Sequence, residues 1–228
     1  NFTEFGGAAT VTATQASGIW TATYTVATGT INDGVADKNV FVTATDNAGN
    51  ITTTEDNTNA TVDNLAPAGY TVSIDQPYIN DSNKGALSFT FAGAEVGAVY
   101  TYSITDSVTT VTATGTITTA TDTISGINVT GLDDGTLTLT VYLTDPAGNQ
   151  GASTTATVTK DVVAPTVTAG NISISGASGA SGEYIIGDTV TAIWDNSESG
   201  DNTDILSVTV NFTEFGGAAT VTATQASG

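Results

Sequence analysis

The sequence has no cysteine, no histidine and no methionine, and only three basic residues in 228, the lysines Lys38, Lys84 and Lys160. Each shortage removes a class of chemistry. Without cysteine there is no disulfide, no thiolate nucleophile and no sulfur metal ligand. Without histidine, Ser-His-Asp and Cys-His triads and His-based zinc sites are excluded. The 23 Asp and Glu residues give a net charge of −20. Such a chain repels nucleic acid, whose binding needs Lys and Arg to release phosphate counterions, and it repels an anionic membrane surface. No run approaches the eighteen apolar residues of a membrane-spanning helix, so membrane insertion is not expected.

The chain is rich in Thr, Val, Ile and Gly, a mixture that favours strands and turns over helices. Only 11% of it is charged, and 39% is hydrophobic, which is enough for cores. Strong acidity combined with solubility also attracts cations, divalent ones included.

The first eighteen residues, NFTEFGGAATVTATQASG, return letter for letter at Asn211–Gly228, an offset of 210 residues. This is the mark of a tandem array. The expectation is a window slightly longer than one period, in which no signal peptide would appear. A shorter repeat lies inside the long one. Val40–Asn50 reads VFVTATDNAGN and Leu139–Asn149 reads LTVYLTDPAGN, 99 residues apart. Each is followed by a Thr-rich stretch and then D-x-x-A-P, at Asp63–Pro67 and at Asp161–Pro165. Proline fixes φ and removes a donor, which suits a linker or a strand start. The organisation read from this is the back half of a unit A in 1–62, a complete unit B in 63–160, and the front half of the next unit A in 161–228. The two halves are not expected to fold together within one chain.

Alternation with period 2 marks the strands. Leu137, Leu139, Val141 and Leu143 share one face, with Thr138, Thr140, Tyr142 and Thr144 on the other. Val40, Val42 and Ala44 do the same, as do Val190, Ala192 and Trp194, and Trp20, Ala22, Tyr24 and Val26. Both tryptophans are therefore expected in cores. Short strands at roughly ten-residue spacing, punctuated by Gly, Asn and Asp, point to an all-β sandwich.

Taken together, GLDDGTLTLTVYLTDPAGNQ (Gly131–Gln150), VFVTATDNAGNITTT (Val40–Thr54), the two D-x-x-A-P junctions and TVTAGNISISGASG (Thr166–Gly179) resemble the bacterial immunoglobulin-like repeats of giant surface adhesins. The resemblance covers essentially the whole chain. It implies tandem immunoglobulin-like β-sandwiches, one complete and one split between the chain ends. It also implies an extracellular, cell-surface location and calcium at domain junctions. The glycine-rich calcium nonapeptide of toxin-type C-terminal regions is absent.

Calcium wants six to eight oxygen donors, and carboxylates, Asn side chains and carbonyls supply them. In an immunoglobulin-like sandwich the last hairpin loop lies at the pole where the chain enters. Asp63 should therefore meet Asp145 and Asn149, with Asp33 and Asp37 of the preceding unit approaching the same junction. At the next junction Asp161 should meet Asp133 and Asp134, with Asp46 and Asn50 of a further copy. D-x-A-G-N is equally a sound turn in its own right, with Asp accepting backbone amides and Gly supplying positive φ.

Other signals are weaker. Carboxylate pairs such as Asp133–Asp134, and the Asp195, Glu198, Asp201, Asp204 run, read as solvated loops or cation sites rather than acid–base machinery. The 195–206 stretch fails as an EF-hand because Leu206 stands where a bidentate acid is required. Gly176–Gly182 is a flexible loop, not a phosphate cradle. N-x-S/T at Asn1, Asn50, Asn59, Asn80, Asn128, Asn171 and Asn211 is what chance gives in a Thr-rich chain. The three lysines, near loops and strand ends, argue against a Lys–Asn isopeptide crosslink.

The expected role is a non-enzymatic repeat of a long stalk, stiffened by calcium and partnered by neighbouring repeats or neighbouring identical chains, as in biofilm adhesins. The alternatives are a self-assembling filament completed by strand exchange, and a glycan- or protein-binding module.

Overall fold

The structure is a computed structural model and describes residues 1–32, 34–197 and 204–225. It divides into two compact units, Asn1–Val162 and Val163–Gly228. Among the described residues the helical elements are three single 3-10 turns, and all else that is regular is strand.

In the first unit, β1 (Thr14–Ala16) pairs with β2 (Ile19–Thr21), and β3 (Phe41–Thr45) pairs with β4 (Ile51–Glu55). A full sandwich follows: β5 (Thr71–Ile74), β6 (Tyr78–Ile79), β7 (Leu87–Ala92), β8 (Val99–Thr105), β9 (Thr110–Thr116), β10 (Thr123–Ile127), β11 (Gly135–Thr144) and β12 (Thr154–Lys160). One sheet has the order β10-β7-β5 and the other β6-β12-β11-β8-β9. Pro77, which has no N–H to give a ladder, stands where the chain leaves β5 for β6 in the opposite sheet. There β6 runs parallel to β12. The chain changes sheets again before β7, β8, β10 and β11, the Greek-key connectivity of an immunoglobulin-like sandwich.

The core lies between these sheets. Leu137, Leu139, Val141 and Leu143 of β11 are fully buried, as their alternation requires, and so are Leu87, Phe89 and Phe91 of β7. Phe89 meets Phe91 and Tyr102 edge-on, at ring separations of 5.5 and 5.4 Å. Aromatic pairs in this geometry add to the area they bury. Buried Tyr70 closes the entry end: its hydroxyl donates to the Ala152 carbonyl and accepts the Leu143 amide at 3.1 Å.

The second unit contains β13 (Ile172–Ser175) paired with β14 (Thr191–Trp194), and β15 (Thr209–Val210) paired with β16 (Val221–Thr222). No described residue of this unit is buried, and none is in 1–61. The chain is thus all-β, with one complete sandwich and four separate two-stranded pairings among the described residues. The expectation of two core tryptophans needs correction: Trp20 is 70% exposed. Its strand has the right alternation but no facing sheet to cover it.

The duplicated segment folds the same way in both places. Thr3–Phe5 and Thr213–Phe215 each form a 3-10 turn that ends on a left-handed glycine, Gly6 at φ 81° and Gly216 at φ 74°. The Asn1 and Asn211 side chains cap Thr3 and Thr213 with matching pairs of hydrogen bonds.

Truncating Phe89 to alanine should cost about 3–5 kcal/mol in urea unfolding. Val42→Ala, at the position matching buried Val141 but 63% exposed, should stay within about 0.5 kcal/mol in dilute solution.

Candidate functional site at the linker junction

The stretch Thr61–Pro67 carries the chain into the sandwich, and its central residue is Asn64, only 5% exposed. A buried amide must find partners. Asn64 Oδ1 accepts the Ile31 amide at 2.9 Å, and Nδ2 donates to the Ala27 carbonyl at 2.9 Å. Its main chain adds two more bonds, from its N–H to the Ile31 carbonyl (2.8 Å) and from the Gly29 N–H to its own carbonyl (2.9 Å). The 27–31 loop lies so close that a Cβ on Gly29 would stand 2.6 Å from Asn64 Nδ2. Only glycine fits there.

The other flank of the linker is held by the sandwich. Asn149 Nδ2 donates to the Asp63 carbonyl (3.2 Å), to Asp63 Oδ1 (3.4 Å) and to Asp145 Oδ2 (2.8 Å). Asp145, 4% exposed, accepts the Asn149 amide at 2.8 Å through its other oxygen. The Gly151 Cα approaches the Pro67 carbonyl so closely that a Cβ would stand 2.3 Å from that oxygen. Asp63 also bridges to Asn32 on the first flank. The linker is thereby bonded directly to the segment before it and to the hairpin after it.

The local charge is one-sided. Burial pushes the Asp145 carboxyl up, but the hydrogen bonds from Asn149 and from the turn amides outweigh this and hold it below the ordinary carboxylate value. Glu95 goes the other way: burial raises it first, and the charges of Asp145 and Asp63 raise it further.

The other residues singled out from the sequence are dispersed. Asp46 and Asn50 form the same turn as Asp145 and Asn149, with Asp46 accepting the Asn50 amide (2.8 Å) and side chain (2.7 Å), but here it is exposed. Asp37 pairs with Lys38. The Asp133 amide donates to Asp106 Oδ2 at 2.6 Å. Asp134 faces Lys160, itself 3% exposed, at 3.0 Å and accepts the Val162 amide at 3.2 Å. The Lys160 ammonium, donating also to the Leu132 carbonyl at 2.7 Å, holds the Asp134 carboxyl below its usual range. The Asp161 amide donates to the Ile79 carbonyl at 2.8 Å. Asp33, Glu198 and Asp201 lie outside the described residues. Among the described residues no group of three or more Asp or Glu side chains stands close enough to hold a metal ion.

Asn64, Glu95 and Lys160 are the junction residues that motif reasoning passed over. The first had no repeat signal, because the matching position of the second D-x-x-A-P is Val162.

Two solved structures resemble the chain. One is a tetra-tandem repeat from the extending region of a large adhesion protein, 20% identical over 75% of this chain and 50% of that one, with a TM-score of 0.39. The other belongs to a 1.5-MDa bacterial ice-binding adhesin described for host cell surface retention, 28% identical over 55% of this chain and 42% of that one, with a TM-score of 0.31. The chain therefore spans about half the length of the solved segments it matches. No protein-family model and no curated protein sequence matches it.

Asn64→Ala should strand the Ala27 carbonyl and the Ile31 amide, weakening the docking of the 27–31 loop by about 1–3 kcal/mol. Faster hydrogen exchange at the Gly29 and Ile31 amides reads this. Glu95 gives a pH test. Its native pKa is raised, so its contribution to stability is greatest at low pH and is lost as pH rises through the raised value. Glu95→Gln should therefore raise the melting temperature at pH 7, and the gain should shrink as pH falls through the carboxylate range.

Proposed function

We propose that the chain is a structural repeat module of a long extracellular adhesin stalk, in which stiff junctions between sandwiches project a distal part away from the cell surface. The observation that carries this reading is the Asn64 linker, hydrogen-bonded on one flank to Ala27 and Ile31 and, through Asp63 and Asn149, on the other to the sandwich. A flexible tether would leave such a linker solvated. The 210-residue repetition supports the same reading, since units stacked in an array derive much of their stability from nearest-neighbour contacts.

Calcium is the finer part of the proposal. The side chains of Asp63, Asp145 and Asn149 are oxygen donors of the kind this ion takes, and they would hold it with main-chain carbonyls and water completing its shell. The ion would supply positive charge where Asp145 and Asp63 repel Glu95, in a chain of net charge −20. The −20 charge also suits an exposed, soluble surface.

Small-angle scattering and thermal melts in calcium and in chelator test both parts. Calcium should raise the melting temperature and lengthen the particle, and Asp63→Asn and Asp145→Asn should remove that response. A protein indifferent to calcium removes the ion from the proposal and leaves stiffness to the Asn64 bonds. If Asn64→Ala also leaves the scattering profile unchanged, the stiff-junction reading fails.

A further inference from the structure

We infer that the free edge of β9 pairs antiparallel with the same edge of a second copy, joining the five-stranded sheets of two complete sandwiches into one. This rests on the edge of the complete sandwich and not on the stalk reading.

A sheet edge presents unpaired N–H and C=O groups, and soluble proteins guard it with charge, proline, bulges or very short strands. The two sheets of this sandwich end on β10, β5, β6 and β9. β5 has four residues and β6 two. β10 is interrupted by a bulge between Ile124 and Ile127. β9 has none of these devices. It runs for seven residues, TVTATGT, paired with β8 without a break in register, and holds no charge and no proline. Among the described residues β8 is its one neighbour in the sheet.

The residue after the strand shows which groups face outward. Ile117 donates its N–H to the Ala98 carbonyl and accepts the Gly97 N–H, both at 2.9 Å, so its main chain faces the β8 side. By the alternation of an antiparallel ladder, Val111, Ala113 and Gly115 face β8 as well, and Thr110, Thr112, Thr114 and Thr116 turn their N–H and C=O groups outward. These four threonines are exposed. The next outward amide, of Thr118, is taken by Asp122 Oδ2 at 2.6 Å, and the free edge ends there.

The strand is complementary to itself. About a two-fold axis at Ala113, Thr110 lies opposite Thr116 of the second copy and Thr112 opposite Thr114 of the second copy. All are outward-facing, so each pair exchanges both of its main-chain bonds. A slip of one residue would set outward groups against inward ones. On the outer face Thr meets Thr, a favourable cross-strand pair. On the inner face Val111 lies opposite Gly115 of the second copy. There Tyr100 leaves no space for a side chain, since a Cβ on Gly115 would stand 2.4 Å from the tyrosine oxygen. The branched Val111 supplies bulk where the glycine has none. A neutral edge is also where two chains of net charge −20 meet with least repulsion. Asp106 and Asp122 lie in the connections at the two ends of β9, and antiparallel pairing sets one against the other, so salt should strengthen the contact. The contact is isologous and closes at a dimer.

Sedimentation of the full chain at rising concentration should show the 22.8-kDa monomer giving way to a dimer, more readily at high salt. In hydrogen exchange the Thr112 and Thr114 amides should be fast when dilute and slow in the dimer. Thr112→Pro removes an outward N–H and leaves the β8 ladder intact. It should weaken the dimer by about tenfold or more without moving the melt of the sandwich. The native chain has no cysteine, so Ala113→Cys places one thiol from each copy at the axis. Diamide, a thiol oxidant, should link that variant into a covalent dimer, whereas Val111→Cys, opposite a glycine, should not link. A chain that stays monomeric at every concentration overturns the inference. So does a dimer whose Thr112 and Thr114 amides exchange as fast as in the monomer, or one in which Val111→Cys links as readily as Ala113→Cys.

Discussion

Covering the apolar face of an alternating strand is the constraint on which the rest of this structure depends. A strand such as β11 sets Leu and Val on one side and Thr on the other, and burying each aliphatic side chain stabilises by about 1.5–3 kcal/mol. That gain is realised only where a second sheet faces the first. Between β7 and β11 it does, and Leu137, Leu139, Val141 and Leu143 vanish from solvent. On β3 the same pattern has no opposing sheet, and Val42 remains in water. One rule thus accounts for the buried face of β11 and for the exposed face of β3.

The acidic load is absorbed by main-chain amides more than by cations. Asp106 accepts the Val108, Thr109 and Asp133 amides, Asp122 the Thr118 amide, and Asp46 and Asp145 the amides of their own turns. These carboxyls are held below their ordinary values, so the ionised form is the one that ties each turn. Three lysines suffice because so many carboxylates are bound this way. The price is paid where carboxylates meet without enough donors, as around Glu95, and that is also where the linker enters the sandwich.

The D-x-A-G-N turn shows how local and tertiary effects divide at the junction. Asp46–Asn50 and Asp145–Asn149 fold alike, so the turn is a property of its five residues. Only Asp145 is buried, and only Asn149 reaches a linker, since only that turn sits on a finished sandwich. Asp63, Asp145 and Asn149 were legible as a group because a repeated motif and the pole of a fold pointed to them. Asn64, Glu95 and Lys160 were not. Their roles come from burial and from partners distant in sequence, and no repeated pattern marks them.

The amino-acid sequence by itself determined the strands, the turns and the repeat, because period-2 alternation, Asp-capped turns and left-handed glycines are short-range physics. The duplicated NFTEFGG turn makes this plain, taking one conformation in two surroundings. The tertiary structure decided which apolar faces are covered, which carboxylates stand near one another, and that a single asparagine fixes the linker. Those outcomes depend on elements tens of residues apart being brought into contact, and an alternating strand carries the same letters whether or not a second sheet arrives to face it.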